Sequence, residues 1–246
     1  DGRGPRDAAA PPDPAVLEAR LREEAREAEA RRRRAYRLWL DAAPAGGSIV
    51  AEYLTAGRRI PIEEIPPALR AERQARHMSG RSYPAMIALV TTPARRPLGI
   101  HRTFLHWNGR EKAPAEPVRM MLGPVSSGAV HLDQAGEELA LAEGIETALA
   151  FMAATGIPTW AALSTSGLAR VALPKPPLAA EIVIAADADA PGLEAAEKLA
   201  QRAEAEGRGV RIARPPDGLD FADVIAGAAE AAAPPNPTHN EEGEQA

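Results

Sequence analysis

Residues 181–192 read Glu-Ile-Val-Ile-Ala-Ala-Asp-Ala-Asp-Ala-Pro-Gly. The apolar run Ile182 to Ala186 has the length and β-branched content of a buried strand. Asp187 and Asp189 follow at once, and Pro191-Gly192 opens a helical pattern. Alternate residues of an extended chain point the same way, so both aspartates can face one pocket. Asp189 also suits the N-cap of the helix that follows it.

The same arrangement occurs earlier. Residues 139–148 read Leu-Ala-Leu-Ala-Glu-Gly-Ile-Glu-Thr-Ala. The run Leu139 to Ala142 predicts a strand, Glu143 ends it, and Gly144 lets the chain turn into a helix. From Glu137 onward strands and helices alternate. Strands are expected over 139–142, 159–163, 181–186 and 210–213, and helices over 145–155, 167–173, 192–206 and 221–226. Such alternation implies a parallel sheet with crossover helices, and acids at the carboxyl ends of its strands stand where these sheets build their sites.

Three carboxylates held close repel one another, and a divalent cation relieves that cost. The set is all oxygen, without cysteine or a histidine cluster, which suits a hard ion such as Mg²⁺, with Mn²⁺ as an alternative. Glu146 lies near one helical turn beyond Glu143 and fits either a supporting role or an exposed face. Asp220 and Asp223 sit at cap-like spacing before the last predicted helix.

The remaining composition narrows the field. The chain of 246 residues has no cysteine, which excludes disulfides, thiolate zinc sites and cysteine nucleophiles. No apolar stretch approaches the ~18 residues that span a bilayer, and the first residues lack the apolar core of a signal peptide, so a cytoplasmic protein without a membrane partner is expected. Net charge is −5, but it is unevenly spread. Residues 58–119 hold 12 Lys or Arg against 5 Asp or Glu, a balance of +7, whereas residues 133–246 hold 7 against 19, a balance of −12. A basic part joined to an acidic part suits an enzyme that grips phosphates on one side and cations on the other. Aromatic residues make up only 4%, so base-stacking platforms are not a theme.

Residues 1–13 read as a disordered lead-in, and 229–246 as a disordered tail. Residues 14–45 form a helical arm with an apolar start at Val16, Leu17 and Leu21 and a middle of Arg, Glu and Ala. Residues 46–135 form a basic α+β subdomain. In it Ser48 caps a short helix, strands run over 85–91, 98–105 and 129–132, and Asn108-Gly109 marks a turn. Residues 136–228 form the α/β domain.

Glu143-Gly144, Asp187-Ala188-Asp189 and Gly192 together resemble the Toprim domain of topoisomerases, bacterial primases and related nucleases. The primase branch adds a Gly-Thr-like turn, here Ala162-Leu163-Ser164-Thr165-Ser166 with Ser164 in place of the usual Gly. It also adds a Pro-x-Gly-x-Asp segment, here Pro216-Asp217-Gly218-Leu219-Asp220-Phe221-Ala222-Asp223. Before it, Tyr83-Pro84-Ala85-Met86, Gly99-Ile100-His101-Arg102-Thr103, Lys112-Ala113-Pro114 and Arg119-Met120-Met121-Leu122-Gly123-Pro124 resemble the segment that precedes Toprim in primase-like proteins of phages, plasmids and integrated mobile elements. Met120 stands where such relatives often carry Lys.

The resemblance implies an α/β fold: a Toprim-type, Rossmann-like parallel sheet with flanking helices, preceded by the basic α+β subdomain and the helical arm. It implies Glu143, Asp187 and Asp189 as catalytic and metal-holding acids, with Asp220 as an auxiliary acid near the metal. It implies Arg102, Lys112 and Arg119 as contacts to template or nucleotide phosphates. The activity implied is metal-dependent nucleotidyl transfer. It would be primase-type synthesis of short RNA on single-stranded DNA from nucleoside triphosphates, with a replicative helicase or a zinc-binding module supplied elsewhere. A Toprim nuclease, or a catalytically silent metal- and DNA-binding accessory, are the alternatives.

Overall fold

A five-stranded sheet of order β10-β9-β7-β8-β6 forms the second half of the chain. Its strands are β6 (Val130–His131), β7 (Glu138–Ala142), β8 (Thr159–Ala161), β9 (Glu181–Ala185) and β10 (Gly209–Ala213). All neighbours run parallel except β6, which pairs antiparallel with β8. The computed structural model describes residues 13–216 together with 221 and 224. Most of the expected lead-in, the expected tail, Asp220 and Asp223 lie outside the described residues.

The apolar runs are continuous because both faces of this sheet are covered. Ala140, Ala142, Val183 and Ala185 pack on one side, with Ala148 and Leu149 of α3 (Ile145–Thr155). Leu139, Leu141, Ile182 and Ile184 pack on the other, with Ala196, Leu199 and Ala203 of α5 (Ala190–Ala205) and Leu168 of α4 (Thr165–Arg170). The alternating strands and helices read from the sequence over 139–213 are therefore present, with ends shifted by a few residues, whereas the helix expected over 221–226 lies largely outside the described residues.

The first half builds an antiparallel sheet of order β1-β2-β3-β4-β5, comprising Ala43–Pro44, Leu69–Arg76, Ser82–Thr91, Pro97–Phe104 and Arg119–Leu122. The turn between β3 and β4 closes through the Thr92 amide, which donates to the Arg96 carbonyl at 3.0 Å. Strand β2 escapes a sequence reading. Leu-Arg-Ala-Glu-Arg-Gln-Ala-Arg is rich in helix formers, and its ladder to β3 is irregular between Glu72 and Ala75. Partners on both sides override its weak strand propensity. The strand expected over 129–132 exists as β6, but its two-residue ladder lies in the parallel sheet. A bridge between Thr91 and Ala129 ties it to the first sheet as well.

One core joins the halves. Met86, Ala88 and Val90 of β3 share a cluster with Leu149 and Ile145 of α3 and with Val50, Tyr53 and Leu54. Ser48 does cap a helix, its hydroxyl accepting from the Val50 amide at 3.1 Å. That helix, α2 (Ile49–Glu52), passes straight into a π-helical turn over Tyr53–Gly57.

Helix α1 (Pro14–Asp41) starts at Asp13, whose side chain accepts from the Ala15 amide. Its first half is exposed: Val16, Leu17 and Leu21 face outward, and i,i+4 pairs such as Glu18–Arg22 and Glu27–Arg31 line it. The second half is anchored by buried Ala35 and by Trp39. The Trp39 indole donates to the Ala68 carbonyl at 3.1 Å, and Arg70 lies 4.1 Å over its ring. Among the described residues no helix is long and apolar enough to cross a membrane. A chain beginning at Glu27 is expected to keep the urea midpoint of the full chain, whereas Trp39→Ala lowers unfolding free energy by about 2 kcal/mol. Equal losses for the two variants would show that the exposed half-helix also bears on the fold.

Candidate nucleotide and metal cleft

Strands β7 and β9 are parallel neighbours in register, with Ala142 opposite Ala185. Their carboxyl ends therefore deliver Glu143 and Asp187 side by side. Asp187 and Asp189 line one cleft with Glu143, with a volume of about 410 Å³. The loop after β9 is held from two directions. Asp189 Oδ1 accepts from the Gly192 amide at 2.8 Å, so the N-cap reading of Asp189 holds as well. A Cβ on Gly192 would meet that oxygen at 2.8 Å and the Asp187 carbonyl at 3.0 Å, so only glycine lets α5 start this close to the acids.

Glu143 is half-buried. Burial first, then the negative charges of Asp187 and Asp189, push its carboxyl above the usual range, against the Thr165 amide and Arg119, which lower it. The backbone supports this corner through the Leu163 amide, which donates to the Glu143 carbonyl at 2.7 Å. Leu163 does so at φ +74°, a left-handed conformation that a leucine adopts at a cost of order 1 kcal/mol.

The opposite wall is basic. Arg58, His101, Lys112 and Arg119 line the same cleft. They come from the end of the π-helical turn, from β4, from the turn after Asn108-Gly109, and from β5. At the base lies Glu146, 7% exposed, which the sequence left between a supporting role and the surface. Lys112 Nζ stands 3.2 Å and Arg119 Nη2 3.7 Å from its Oε1, and the Tyr53 hydroxyl donates to the same oxygen at 2.8 Å. Burial alone would raise the Glu146 carboxyl, but Lys112 and Arg119, its own backbone amide and the Tyr53 hydroxyl outweigh it and hold it well below the usual carboxylate range. The Tyr53 hydroxyl is pushed up, by burial first and then by the Glu146 charge. His101 is held down to about 4, mainly by burial, and is neutral near pH 7.

The structure thus brings together five of the seven residues singled out from the sequence: Glu143, Asp187, Asp189, Lys112 and Arg119. Arg102 is not among them. In the β4–β5 ladder Thr103 faces Arg119 and Arg102 faces Met120, so Arg102 lies on the other face of the sheet. Asp220 lies outside the described residues. Tyr53, Arg58 and the role of Glu146 were not legible. The only local sign was the i+3 spacing of Glu146 from Glu143.

Among the described residues no three Asp, Glu, His or Cys side chains close up into a metal cage. The donor chemistry nevertheless fits a hard divalent ion. Mg²⁺ keeps several waters and is usually held by one or two carboxylates with substrate phosphates, so an open set of oxygens with surplus negative charge is what it takes. Glu143, Asp187 and Asp189 are the residues that would hold it.

Residues 138–230 match the family model described as the Toprim domain, and residues 29–132 match one described as a domain of unknown function. No curated protein matches. Among solved structures, a DnaG primase catalytic domain bound to single-stranded DNA is similar over 84% of this chain and 78% of that one, with 14% identity and a TM-score of 0.50. The primase fragment of the bacteriophage T7 primase-helicase protein covers 77% of this chain and 70% of its own, with 14% identity and a TM-score of 0.46. A DNA primase domain from Pseudomonas aeruginosa gives 15% identity and a TM-score of 0.42 over 72% of this chain, which spans 56% of that domain. The likeness is one of fold.

Glu146→Gln is expected to lower unfolding free energy at pH 7 by about 2 kcal/mol, a value moderated by water around Lys112 and Arg119. A carboxylate held low in the folded state adds stability that is present above its unfolded value of about 4.3 and is lost as pH falls through the folded value. The gap between wild type and Glu146→Gln, measured by urea unfolding, should therefore be full at pH 7 and shrink below about pH 4. A gap independent of pH would contradict an ionised Glu146.

Proposed function

We propose that this chain, which carries a Toprim domain and has the fold of primase catalytic cores, performs metal-dependent nucleotidyl transfer on nucleic acid, as primase-type synthesis of short RNA on a single-stranded DNA template. The observation that carries the reading is the pairing of walls in one cleft. Three acids at the ends of adjacent parallel strands face Lys112, Arg119 and Arg58 across a space that fits a nucleotide.

The basic wall would bind the triphosphate and the strand backbone, with guanidinium forks matching phosphate oxygens. Glu146 would hold Lys112 and Arg119 in place, so that little rotamer freedom is lost when phosphate arrives. The reaction joins a 3′-hydroxyl to the α-phosphate of an incoming ribonucleotide and releases pyrophosphate. Glu143, half-buried and with its carboxyl raised by burial and by its neighbours, would accept the hydroxyl proton. A divalent ion held by Glu143, Asp187 and Asp189 would stabilise charge on the attacking and leaving oxygens.

The basic wall favours synthesis over hydrolysis, because a triphosphate brings more negative charge to be held than a single phosphodiester does. The test is product analysis with single-stranded DNA, labelled ribonucleotides and Mg²⁺ or Mn²⁺. Short products that depend on the metal, and fall at least about a hundredfold in Asp187→Ala/Asp189→Ala, are expected. Shortened DNA without synthesis would move the assignment to a nuclease. DNA binding without either product would leave a metal- and DNA-binding accessory.

A further inference from the structure

The face of the antiparallel sheet turned away from the cleft carries a second hollow of about 550 Å³, roofed by α1. Its accessible apolar surface comes from Leu38 of α1, from Met78 and from Met120 of β5, over the buried Ile87 of β3 and Ile100 of β4. At its rim stand three guanidinium groups, Arg34 from α1, Arg76 from β2 and Arg102 from β4. Among the described residues none of the three is in an ion pair. Glu72, the one acid lining the hollow among the described residues, accepts from the Gln74 amide at 3.0 Å.

Arg102 is poorly satisfied for a half-buried cation. Its Nη1 donates to the Arg76 carbonyl at 3.3 Å, its guanidinium lies 5.6 Å over the Phe104 ring, and its Nε is buried without an acceptor. Arg34 stands close enough to disfavour its charge, after burial itself. Like charges brought together over apolar ground cost free energy that an anion would return. A fold gains nothing from this arrangement by itself, since an apolar residue at position 102 would pack on Phe104 and Ile100 without the penalty.

We infer that this hollow is a second ligand site, separate from the acid-lined cleft, for a nucleoside polyphosphate. Its phosphates sit on the Arg34, Arg76 and Arg102 forks, and its base lies on the apolar surface. The guanidinium geometry matches phosphate oxygens pairwise, Leu38, Met78 and Met120 offer apolar contact to a base, and the volume lies within the range of small-molecule sites. The inference does not rest on the proposed synthesis: the two sites lie on opposite faces of one sheet and share no residue.

Methionines report the two faces separately. Met120 and Met78 line the hollow, while Met121, next in sequence to Met120, pairs with His101 on the cleft-facing side. The experiment is a titration of the whole chain, carrying ¹³C-labelled methionine methyls, with ATP in EDTA. Saturable shifts of Met120 and Met78, without matching shifts of Met121, are expected, with affinity falling about tenfold or more in Arg34→Gln. Arg34 is an exposed helix residue, so that variant keeps the fold. Inorganic tripolyphosphate should bind at least about fivefold more weakly than ATP, because it leaves the apolar surface uncovered. No Met120 shift at millimolar ATP, shifts unchanged in Arg34→Gln, or tripolyphosphate binding as tightly as ATP would each overturn the assignment.

Discussion

The buried carboxylate of Glu146 is the constraint on which the rest of the cleft depends. It sits on the first turn of α3, in the parallel half of the molecule. Its partners, Tyr53, Lys112 and Arg119, all come from the antiparallel half. A charge this buried is tolerated only when paired and hydrogen-bonded, so the two halves must meet in one arrangement to satisfy it. The shared apolar cluster of β3 and α3 supplies much of the adhesion. Glu146 supplies the register, fixing which residues of the basic half look at the acids.

Electrostatic balance then divides the cleft. Glu146 is engaged by Lys112, Arg119 and Tyr53, and its charge is spent on holding them. Glu143, on the same segment three residues earlier, faces two aspartates, and its carboxyl is pushed the opposite way. Two glutamates within one helical turn thus have different environments and different uses: one mounts the basic wall, the other belongs to the wall proposed to take a cation. β7 ends at Ala142 and α3 is capped at Gly144, so Glu143 stays in the loop while Glu146 turns inward with the helix.

The Toprim half was readable because its signals are local. A run such as Leu139 to Ala142 can be continuous only in a sheet covered on both faces, and an acid that ends such a run must stand at the sheet's carboxyl edge. The basic half was harder. Strand β2 carries helix-forming residues and is held by its neighbours. Arg102 and Arg119 look equivalent as basic residues in strand-like surroundings, yet the β4–β5 register sends them to opposite faces. A one-residue difference in register reverses a side chain, and no local pattern fixes that register when both faces carry mixed residues. Glu146 was undecidable for a related reason: its partners lie up to 93 positions away in the sequence.

The central claim is that Glu143, Asp187 and Asp189 form the cation-holding wall while Glu146 serves as a mount. Calorimetric titration of Mn²⁺ into wild type, Glu143→Gln and Glu146→Gln tests it most directly. The account predicts that Glu143→Gln weakens binding about tenfold or more, whereas Glu146→Gln, still folded, stays within about threefold of wild type. Loss of binding in Glu146→Gln with Glu143→Gln unaffected would contradict it.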